Sequence, residues 1–322
     1  MNIKFSIIVS CYNQQDIILK TLDTIKNQSY KNFECIIVDD CSIDASCEVV
    51  QNYIKNDSRF TLVKNTKNSS LYMVRKVGVS HASGDYILFL DGDDYFIANS
   101  FEILNKYLQK FQNDVVEFGY KDNNNNKRLP RLIKNKSRFD SYITNMLPPT
   151  IWNKAYKTEF LKNIFEKMPD MYINMAEDVI ISTIVAYHTN TYSVIKKPFV
   201  IYNVGSGIST KMQTFENNKH FYDSILLVEN TLKTYFENKL PNYLQICENI
   251  KIHYLRDLIY NINYRTKKED VISSLLFLIN SLTQKELEKL YSSLFLCSNS
   301  IENVIKCFGR KRLLLEILKY KK

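Results

Sequence analysis

Acidic side chains gather where a buried strand is expected to end. The apolar run Tyr86–Leu90 leads directly into the sequence DGDD at positions 91–94. A short apolar run that stops at a turn signal is typical of a buried strand, and carboxylates this close repel one another unless a cation lies between them. Gly92 allows the bend a backbone conformation that other residues resist. The pattern predicts a divalent metal ion that holds a diphosphate, with a solvated Asp-Gly turn as the alternative.

Two further acidic pairs could take part in the same chemistry. Asp39 and Asp40 follow the apolar run Phe33–Val38, so they also end a predicted strand. Ligands of parallel sheets bind at the carboxyl ends of the strands, and both acidic groups are expected at that edge. Glu177 and Asp178 instead begin a helical pattern, where acidic residues interact favourably with the helix dipole. Helix capping is therefore the alternative to a chemical role for this third pair.

Alternating strands and helices in the first two thirds of the chain must position these groups. Apolar runs of strand length begin at Phe5, Phe33, Phe60, Tyr86 and Val115, and helical patterns separate them. Because each run is apolar throughout, we expect an α/β fold with a mainly parallel sheet that helices cover on both faces. From about residue 215 the pattern is helical without strands. We therefore predict an α/β domain over residues 1–212 and a C-terminal helical appendage over 213–322.

Composition narrows the class of protein. The chain has 322 residues, of which 45% are hydrophobic and 24% charged, and its formal charge is +9. A positive charge suits nucleic acid, an anionic membrane surface or phosphate-bearing substrates, but no nucleic-acid-binding module accompanies it. No segment reaches the roughly 18 apolar residues of a membrane span, and the run Phe5–Cys11 is too short for a signal peptide. We expect a cytoplasmic protein, soluble or peripheral on the inner face of the plasma membrane.

Other predictions follow from charge and from the cysteines. Residues 121–137 are polar, Asn-rich and basic, which favours a flexible surface loop. Residues 304–322 place basic side chains beside an apolar face, which suits either an anionic membrane surface or a packed amphipathic helix. The seven cysteines show no Cys-x-x-Cys pair and no His partner at metal-ligand spacing, so we expect reduced thiols.

In their order and spacing, the motifs resemble those of the inverting glycosyltransferases of family 2, bacterial nucleotide-sugar transferases with the GT-A fold. The resemblance covers about residues 3–210, and the helical appendage matches only as a variable element. The segments that carry the resemblance are SCYN at 10–13, VDDCS at 38–42, Arg75 with Gly78, GDY at 84–86, FLDGDD at 89–94, WNK at 152–154 and Glu177-Asp178.

The resemblance implies a donor pocket at the first two strand ends. Asp39 would recognise the uracil edge of a UDP-sugar, with Tyr12 beside the base. Asp40 and Ser42 would shape the pocket, and Arg75 would lie beside the nucleotide.

The resemblance also implies roles around the diphosphate and the acceptor. Asp91 would contact the ribose or the metal shell, with Gly92 in the same nucleotide-sugar site, and Asp93 would ligate Mn²⁺ or Mg²⁺. Asp178 matches the catalytic base, which takes the proton from the acceptor hydroxyl. An ordinary Asp, with a pKa near ~3.9, is ionised at neutral pH, so no special activation of Asp178 is expected.

Some positions depart from the family pattern. Cys41 and Ser70 stand where the family usually has Gly, and each tightens a turn that Gly would relax. The segment 205–209 resembles the family's mobile loop after the last strand, but the expected Arg is absent from residues 202–204. Lys211 is a candidate substitute for that Arg.

The sequence thus predicts a transferase that moves a hexosyl or N-acetylhexosaminyl group from a UDP-sugar to a hydroxyl of a cell-surface glycan or a lipid-linked oligosaccharide. The basic C-terminal helix would bring it to an anionic membrane surface. The alternative is a nucleotide-sugar-binding or scaffold protein without catalysis, which the joint presence of Asp91, Asp93 and Asp178 disfavours. A dinucleotide-dependent oxidoreductase would need Gly-x-Gly-x-x-Gly after the first strand, where residues 11–15 are CYNQQ. A nucleotidyltransferase would need a Gly-rich phosphate loop, which this sequence lacks. An aspartate-nucleophile phosphatase would normally have Thr or Val at the position of Tyr95.

Overall fold

The computed structural model describes residues 2–131, 137–145, 147–204 and 212–296. The chain divides into two compact units, Met1–Lys211 and Met212–Lys322, and each is described by itself. Some predictions concern residues outside those described, namely the loop at 205–209, Lys211, the basic stretch 304–322 and the cysteines at 297 and 307.

The first unit alternates strands and helices, as predicted. Its strands are β1 Phe5–Cys11, β2 Phe33–Asp39, β3 Phe60–Lys64, β4 Tyr86–Asp91, β5 Tyr95–Phe96, β6 Val115–Asp122, β7 Lys127–Arg128, β8 Lys154–Lys157 and β9 Tyr192–Tyr202. Its helices are α1 Ile18–Lys26, α2 Ser46–Ile54, α3 Leu71–His81, α4 Ser100–Leu108, α5 Arg138–Asn145, α6 Thr158–Phe165 and α7 Glu177–His188.

The described strands form one mixed sheet in the order β3-β2-β1-β4-β8-β6-β9-β5, with β7 paired to β6. The β3-β2-β1-β4 half is parallel, β8 is antiparallel to both of its neighbours, and β6 is parallel to β9. Cys11 pairs with Asp39 on one side of β1, and Ser10 pairs with Asp91 on the other. The predicted α/β fold with a mainly parallel sheet is confirmed, and the acidic strand ends lie on either side of β1.

Helix α3 packs closely on the buried strand β1. Phe5 and Ile8 of β1 are at most 1% exposed, as expected for a strand covered on both faces. Gly78 permits the close approach, because a Cβ at this position would lie only 2.3 Å from Ile8 Cγ2. Arg75, three residues earlier on α3, thereby comes within reach of Asp91 at the end of β4.

Part of the predicted flexible loop is a β-hairpin. Strand β6 continues to Asp122 and pairs with β7. The Asp122 carboxylate closes the turn by accepting hydrogen bonds from the backbone N–H groups of Asn124 and Asn126 at 2.9 and 2.8 Å. Asn125 has a φ of 65°, a conformation that Asn tolerates better than most residues. The loop prediction is therefore wrong for residues 121–128, because the Asn-rich composition reflects the chemistry of a tight turn.

The described part of the second unit is helical, as predicted. Its helices are α8 Phe215–Phe236, α9 Tyr243–Tyr264, α10 Val271–Ser281 and α11 Gln284–Leu296. The apolar core includes the fully buried Leu232 and Leu255. Lys251 of α9 is buried beside this core and pairs with Glu229 of α8 at 2.8 Å and Glu286 of α11 at 2.5 Å. No helix among the described residues is both long enough and apolar enough to cross a membrane.

Candidate active site

A buried arginine connects the end of β4 to the start of α7. Arg75 is 3% exposed. Its Nη2 donates to Oδ1 of Asp91 at 3.1 Å, and its Nη1 donates to Oε1 of Glu177. Ser10 Oγ donates to the same Asp91 oxygen at 3.2 Å. Because a buried guanidinium is costly unless carboxylates satisfy it, Arg75 holds two acidic groups from distant segments side by side.

Asp94 is buried and bonds to the chain just after β9. It is 1% exposed, and its Oδ1 accepts a hydrogen bond from the backbone N–H of Asn203, just after β9, at 2.8 Å. Its Oδ2 is buried without a hydrogen-bond partner among the described residues. Burial, and then the charge of Asp91, raises the pKa of Asp94 to about 8. Of the three carboxylates in this bend, only Asp91 and Asp93 keep exposed surface.

The carboxylate oxygens at the end of β4 suit a divalent metal ion that also binds oxygens of a phosphate ligand. Asp91 and Asp93 offer carboxylate oxygens, which Mg²⁺ and Mn²⁺ prefer. Within the described ranges, no three His, Cys, Asp or Glu side chains are grouped so that they could hold an ion. An ion at Asp93 would therefore take most of its ligands from water and from phosphate oxygens, which is common for Mg²⁺.

The ends of β1 and β2 hold a buried carboxylate with an unused oxygen. Asp39 is 1% exposed, and its Oδ2 accepts a hydrogen bond from the N–H of Ser42 at 3.0 Å. Ser42 Oγ in turn accepts from the N–H of Asn13 at 2.9 Å. Asp39 Oδ1 is buried and lacks a hydrogen-bond partner in the described part of the chain. The Cys47 thiol lies nearby. Burial, and then the neighbouring Asp39 carboxylate, raise the pKa of this thiol to about 11. Asp39 can therefore accept a hydrogen bond from a ligand N–H group.

Asp40 organises the loop that precedes α3. It is 4% exposed and accepts hydrogen bonds from Nδ2 of Asn65 and from the N–H groups of Ser69 and Ser70 at 2.8, 2.8 and 3.0 Å. Ser70 and Cys41 have φ values of 88° and 63°, in the region that favours glycine. The prediction that both residues tighten turns is confirmed. Asp40 contributes to the site by positioning this loop.

Tyr12 and Gly92 differ in their surroundings. Tyr12 is 46% exposed, so an aromatic face is open to a ligand at the end of β1. Gly92 is buried, and a Cβ there would lie 1.9 Å from Gln14 Oε1. Its carbonyl accepts a hydrogen bond from Thr21 Oγ1 at 2.8 Å. The φ of Gly92 lies outside the left-handed region, so the expectation of a special backbone conformation is wrong, and the absence of a Cβ instead lets the bend approach Gln14 and α1.

Asp178 lies in the first turn of α7 near two cations. Part of its surface is exposed, but desolvation by the surrounding protein, and then the charge of Glu177, raises its pKa to about 8. Arg75 and Lys154 oppose this shift. Lys154 is itself buried, and burial lowers its pKa to about 8. The expectation of an ordinary, fully ionised Asp178 is therefore wrong, and a pKa close to the working pH is typical of catalytic bases.

Reasoning from the sequence missed two residues of this site. Glu177, for which helix capping was the alternative interpretation, is the buried partner of Arg75. Lys154, part of the WNK segment, acts on Asp178 through its charge. The motif itself was the available signal for Lys154. The position of Lys154 depends on β8, which pairs with β4 at Ala155 and Leu88.

Comparisons with known proteins show which family this chain resembles. The family model described as glycosyl transferase family 2 matches residues 6–176, more than half of the chain. Glycosyltransferase GlyA of Streptococcus pneumoniae is 30% identical over 161 residues, which cover 50% of this chain and 23% of GlyA. The uncharacterized glycosyltransferase EpsJ of Bacillus subtilis is 30% identical over 187 residues, 54% of this chain and 53% of EpsJ. The chain thus spans about half or less of these two relatives.

A solved structure supports the fold. The crystal structure of residues 1–349 of S. aureus TarS in complex with UDP-GlcNAc matches with a TM-score of 0.62 and 21% identity, over 89% of this chain and 83% of that one. The predicted GT-A fold is therefore confirmed. Because the family model covers more than half of the chain, including the ends of β1, β2 and β4, the protein belongs to glycosyl transferase family 2.

Proposed function

We propose that the protein is an inverting transferase that moves a sugar from a UDP-sugar to a hydroxyl group of a cell-surface glycan or lipid-linked saccharide. The observation that carries this proposal is the connection from Asp91 through Arg75 to Glu177. It brings the strand end suited to a donor diphosphate next to the helix turn that bears Asp178. A direct displacement needs donor and base in this proximity.

The first two strand ends favour UDP as the donor nucleotide. Asp39 Oδ1 is a buried acceptor without a partner in the described residues, and the N3–H group of uracil would satisfy it. Tyr12 follows Cys11, which pairs with Asp39, and its exposed ring would stack on the base. TarS has been crystallised with UDP and with UDP-GlcNAc, which supports a hexosyl or N-acetylhexosaminyl donor here.

Asp93, with Asp91 beside it, would hold Mn²⁺ or Mg²⁺ against the donor diphosphate. Such an ion neutralises the negative charge that develops on the leaving group. Ser10 and Arg75 both donate to Oδ1 of Asp91. These hydrogen bonds fix the orientation of the carboxylate and leave its second oxygen for the ion or the ribose.

Asp178 would act as the general base. The acceptor oxygen bonds to the anomeric carbon of the donor while the bond from that carbon to the diphosphate oxygen breaks, and the hydroxyl proton passes to Asp178. Attack on the face opposite the leaving group inverts the anomeric configuration. A carboxyl whose pKa is raised to about 8 is a stronger base than an ordinary aspartate, so it accepts this proton more readily.

A nucleotide-sugar-binding protein without catalysis is the second candidate. Such a protein would need Asp39 and the residues around it to bind the nucleotide. It would not need a carboxyl with a raised pKa on the acceptor side. The raised pKa of Asp178, close to two cations, favours the enzyme. The acceptor, and a cytoplasmic place of action at the membrane surface, stay predictions from the sequence.

Release of UDP from a panel of UDP-sugars tests the proposal. The full chain is incubated with each donor and Mn²⁺ or Mg²⁺, and we expect slow hydrolysis of one donor that a chelator abolishes. Proton NMR of the first-formed sugar should show the anomer opposite to that of the donor. UDP binding without turnover of any donor, even with glycan acceptors present, would support the binding protein instead.

A further inference from the structure

Three aromatic rings form a cluster, which we call the aromatic platform, from Tyr120, Trp152 and Tyr202. The rings of Trp152 and Tyr202 are stacked, with 5.4 Å between centroids and 4° between planes. Tyr120 meets the Trp152 ring edge to face at 4.7 Å. Trp152 is 9% exposed, whereas both tyrosines keep more exposed surface. The cluster is therefore an aromatic surface that solvent reaches mainly through the two tyrosines.

Short stretches of chain connect the aromatic platform to the acidic bend at 91–94 and to a cation that acts on the base. Tyr202 immediately precedes Asn203, whose N–H donates to Asp94 in the bend at 91–94. The tryptophan is two residues before Lys154, whose charge acts on Asp178. A ring bound on this surface would therefore lie close in the chain to the acidic bend and to the cation that acts on Asp178.

A basic hairpin, residues 121–131, borders the aromatic platform. Arg128 is exposed and pairs with Tyr120 across the two strands. Burial raises the pKa of Tyr120, and the positive charge of Arg128 opposes that shift, so the cation lies close to this ring. The hairpin's basic residues are Lys121, Lys127, Arg128 and Arg131, against the single acid Asp122. The Asp122 carboxylate is engaged in the turn by Asn124 and Asn126.

The basic hairpin is held against the platform by two contacts. Gly119 lets β7 come close, because a Cβ there would lie 2.8 Å from the carbonyl oxygen of Arg128. At the tip of the hairpin, Asn123 Nδ2 donates to Oδ1 of Asn203 and to the carbonyl of Val204, both at 3.2 Å. The positive charge is therefore fixed beside the end of β9 and its Tyr202 ring.

We propose that the aromatic platform and the basic hairpin together bind the acceptor, and that this acceptor is a pyranose saccharide with a phosphate group close to the reacting sugar. The inference rests on the proposed function, because the neighbouring Asp178 defines this side as the acceptor side. A pyranose presents a face of C–H groups that packs on aromatic rings. Exposed Arg and Lys side chains bind phosphate. The phosphate belongs either to the diphosphate of a lipid-linked saccharide or to a soluble phosphodiester-linked glycan, and both present the same chemistry.

Fluorescence of the single tryptophan tests the inference directly. Trp152 is the only Trp of the chain, so its emission reports on the aromatic platform.

In the presence of UDP, the full chain is titrated with farnesyl-diphosphate-linked N-acetylglucosamine and with a soluble N-acetylglucosamine phosphodiester oligomer. Methyl N-acetylglucosaminide supplies the ring alone, and a ribitol phosphate oligomer supplies phosphate alone. We expect at least one phosphorylated saccharide to change the emission and to bind about 10-fold tighter than either control. Whichever of the two phosphorylated saccharides binds more tightly identifies the source of the phosphate.

Two matched variants test the charge. Arg128→Gln should lower the affinity for the phosphorylated saccharide by about 10-fold and leave the affinity for the methyl glycoside unchanged. Lys110→Gln, at an exposed basic residue near the opposite end of β6, should change neither affinity. Thermal unfolding confirms that both variants fold, since both side chains are exposed.

Several outcomes would overturn the inference. These are equal affinity for phosphorylated and neutral saccharides, equal losses in Arg128→Gln and Lys110→Gln, or ribitol phosphate binding as tightly as the phosphorylated sugars. Calorimetry of UDP binding separates this inference from the proposed function. UDP binding without any saccharide response overturns the acceptor site alone, whereas absence of UDP binding overturns the proposed donor.

Discussion

Arg75 and Glu177 form an ion pair between α3 and α7 in which the two side chains are only 3% and 8% exposed. Because Arg75 also binds Asp91 at 3.1 Å, the pair connects the donor edge of the sheet to the turn that bears Asp178. Removing one partner of a buried pair leaves an uncompensated charge. The geometry of the site and the stability of the fold therefore depend on the same contact.

Glu177→Gln should destabilise the protein by about 3 kcal/mol, because Arg75 loses a charged partner in a buried environment. Urea unfolding at neutral pH measures the loss. Glu102→Gln is the matched control, since Glu102 pairs with Lys106 on the surface of α4, and such pairs contribute about 0.5 kcal/mol. A similar small cost for both variants would show that the buried pair is not a stabilising contact.

Asp178→Asn should lower the rate of sugar transfer by about 100-fold or more, because the amide cannot accept the proton. The amide keeps the size of the side chain, so the fold and the affinity for UDP should be retained. Transfer assays and UDP calorimetry on the same preparation check both expectations. Near-normal turnover would show that Asp178 is not the general base and has only a structural place in the first turn of α7.

Transfer should accelerate as the pH rises towards about 8, because the pKa of Asp178 is raised by desolvation and then by Glu177, and only the ionised form is a base. Lys154 lowers this pKa, so Lys154→Met should shift the rising limb of kcat/KM to higher pH. Profiles of kcat/KM between about pH 6 and pH 9 measure the shift. Superimposable profiles would contradict an effect of the Lys154 charge on the titrating group.

The same raised pKa has the opposite effect on stability. A carboxyl whose folded pKa lies above its unfolded value contributes stability that is fully present below about pH 4 and is lost as the pH rises through the folded value. Asp178 should therefore make the protein less stable between about pH 4 and pH 8. In Asp178→Asn, urea unfolding should show a weaker decline over this range, and an unchanged decline would assign it to other groups.

UDP affinity should fall when the divalent ion is removed, because Asp91 and Asp93 would otherwise face the diphosphate with negative charge. Calorimetry with Mn²⁺, Mg²⁺ or a chelator measures the difference. Asp93→Asn should show the low affinity even with metal present. Equal affinity under all conditions would remove Asp93 from its proposed role.

Ser70→Gly should stabilise the protein by about 1 kcal/mol, because Ser70 has a φ of 88° that costs a residue with a Cβ about this much or more. Thermal unfolding measures the gain. Ser80→Gly, on the exposed side of α3, should instead cost about 0.5–1 kcal/mol. Destabilisation by both changes would contradict the assignment of strain to Ser70.

The sequence alone determined the features that depend on local patterns. The apolar runs predict β1 to β4, because a strand buried on both faces is apolar along its whole length. The ends of these strands place Asp39 and Asp91 at the same edge of the sheet, since parallel strands share the direction of their carboxyl ends. The start of α7 at Glu177 also follows from its local pattern.

Only the tertiary structure decided which acidic groups act together. Arg75 and Glu177 are 102 positions apart, and no local pattern pairs them. Asp93 and Asp94 are adjacent in the sequence, yet Asp94 is buried and bonds to Asn203, 109 positions away. The raised pKa of Asp178 depends on the protein atoms and charges that surround it, and Arg75 and Lys154 come from other segments. Burial and pairing of charges are set by contacts between distant residues, so they appear only once the chain has folded.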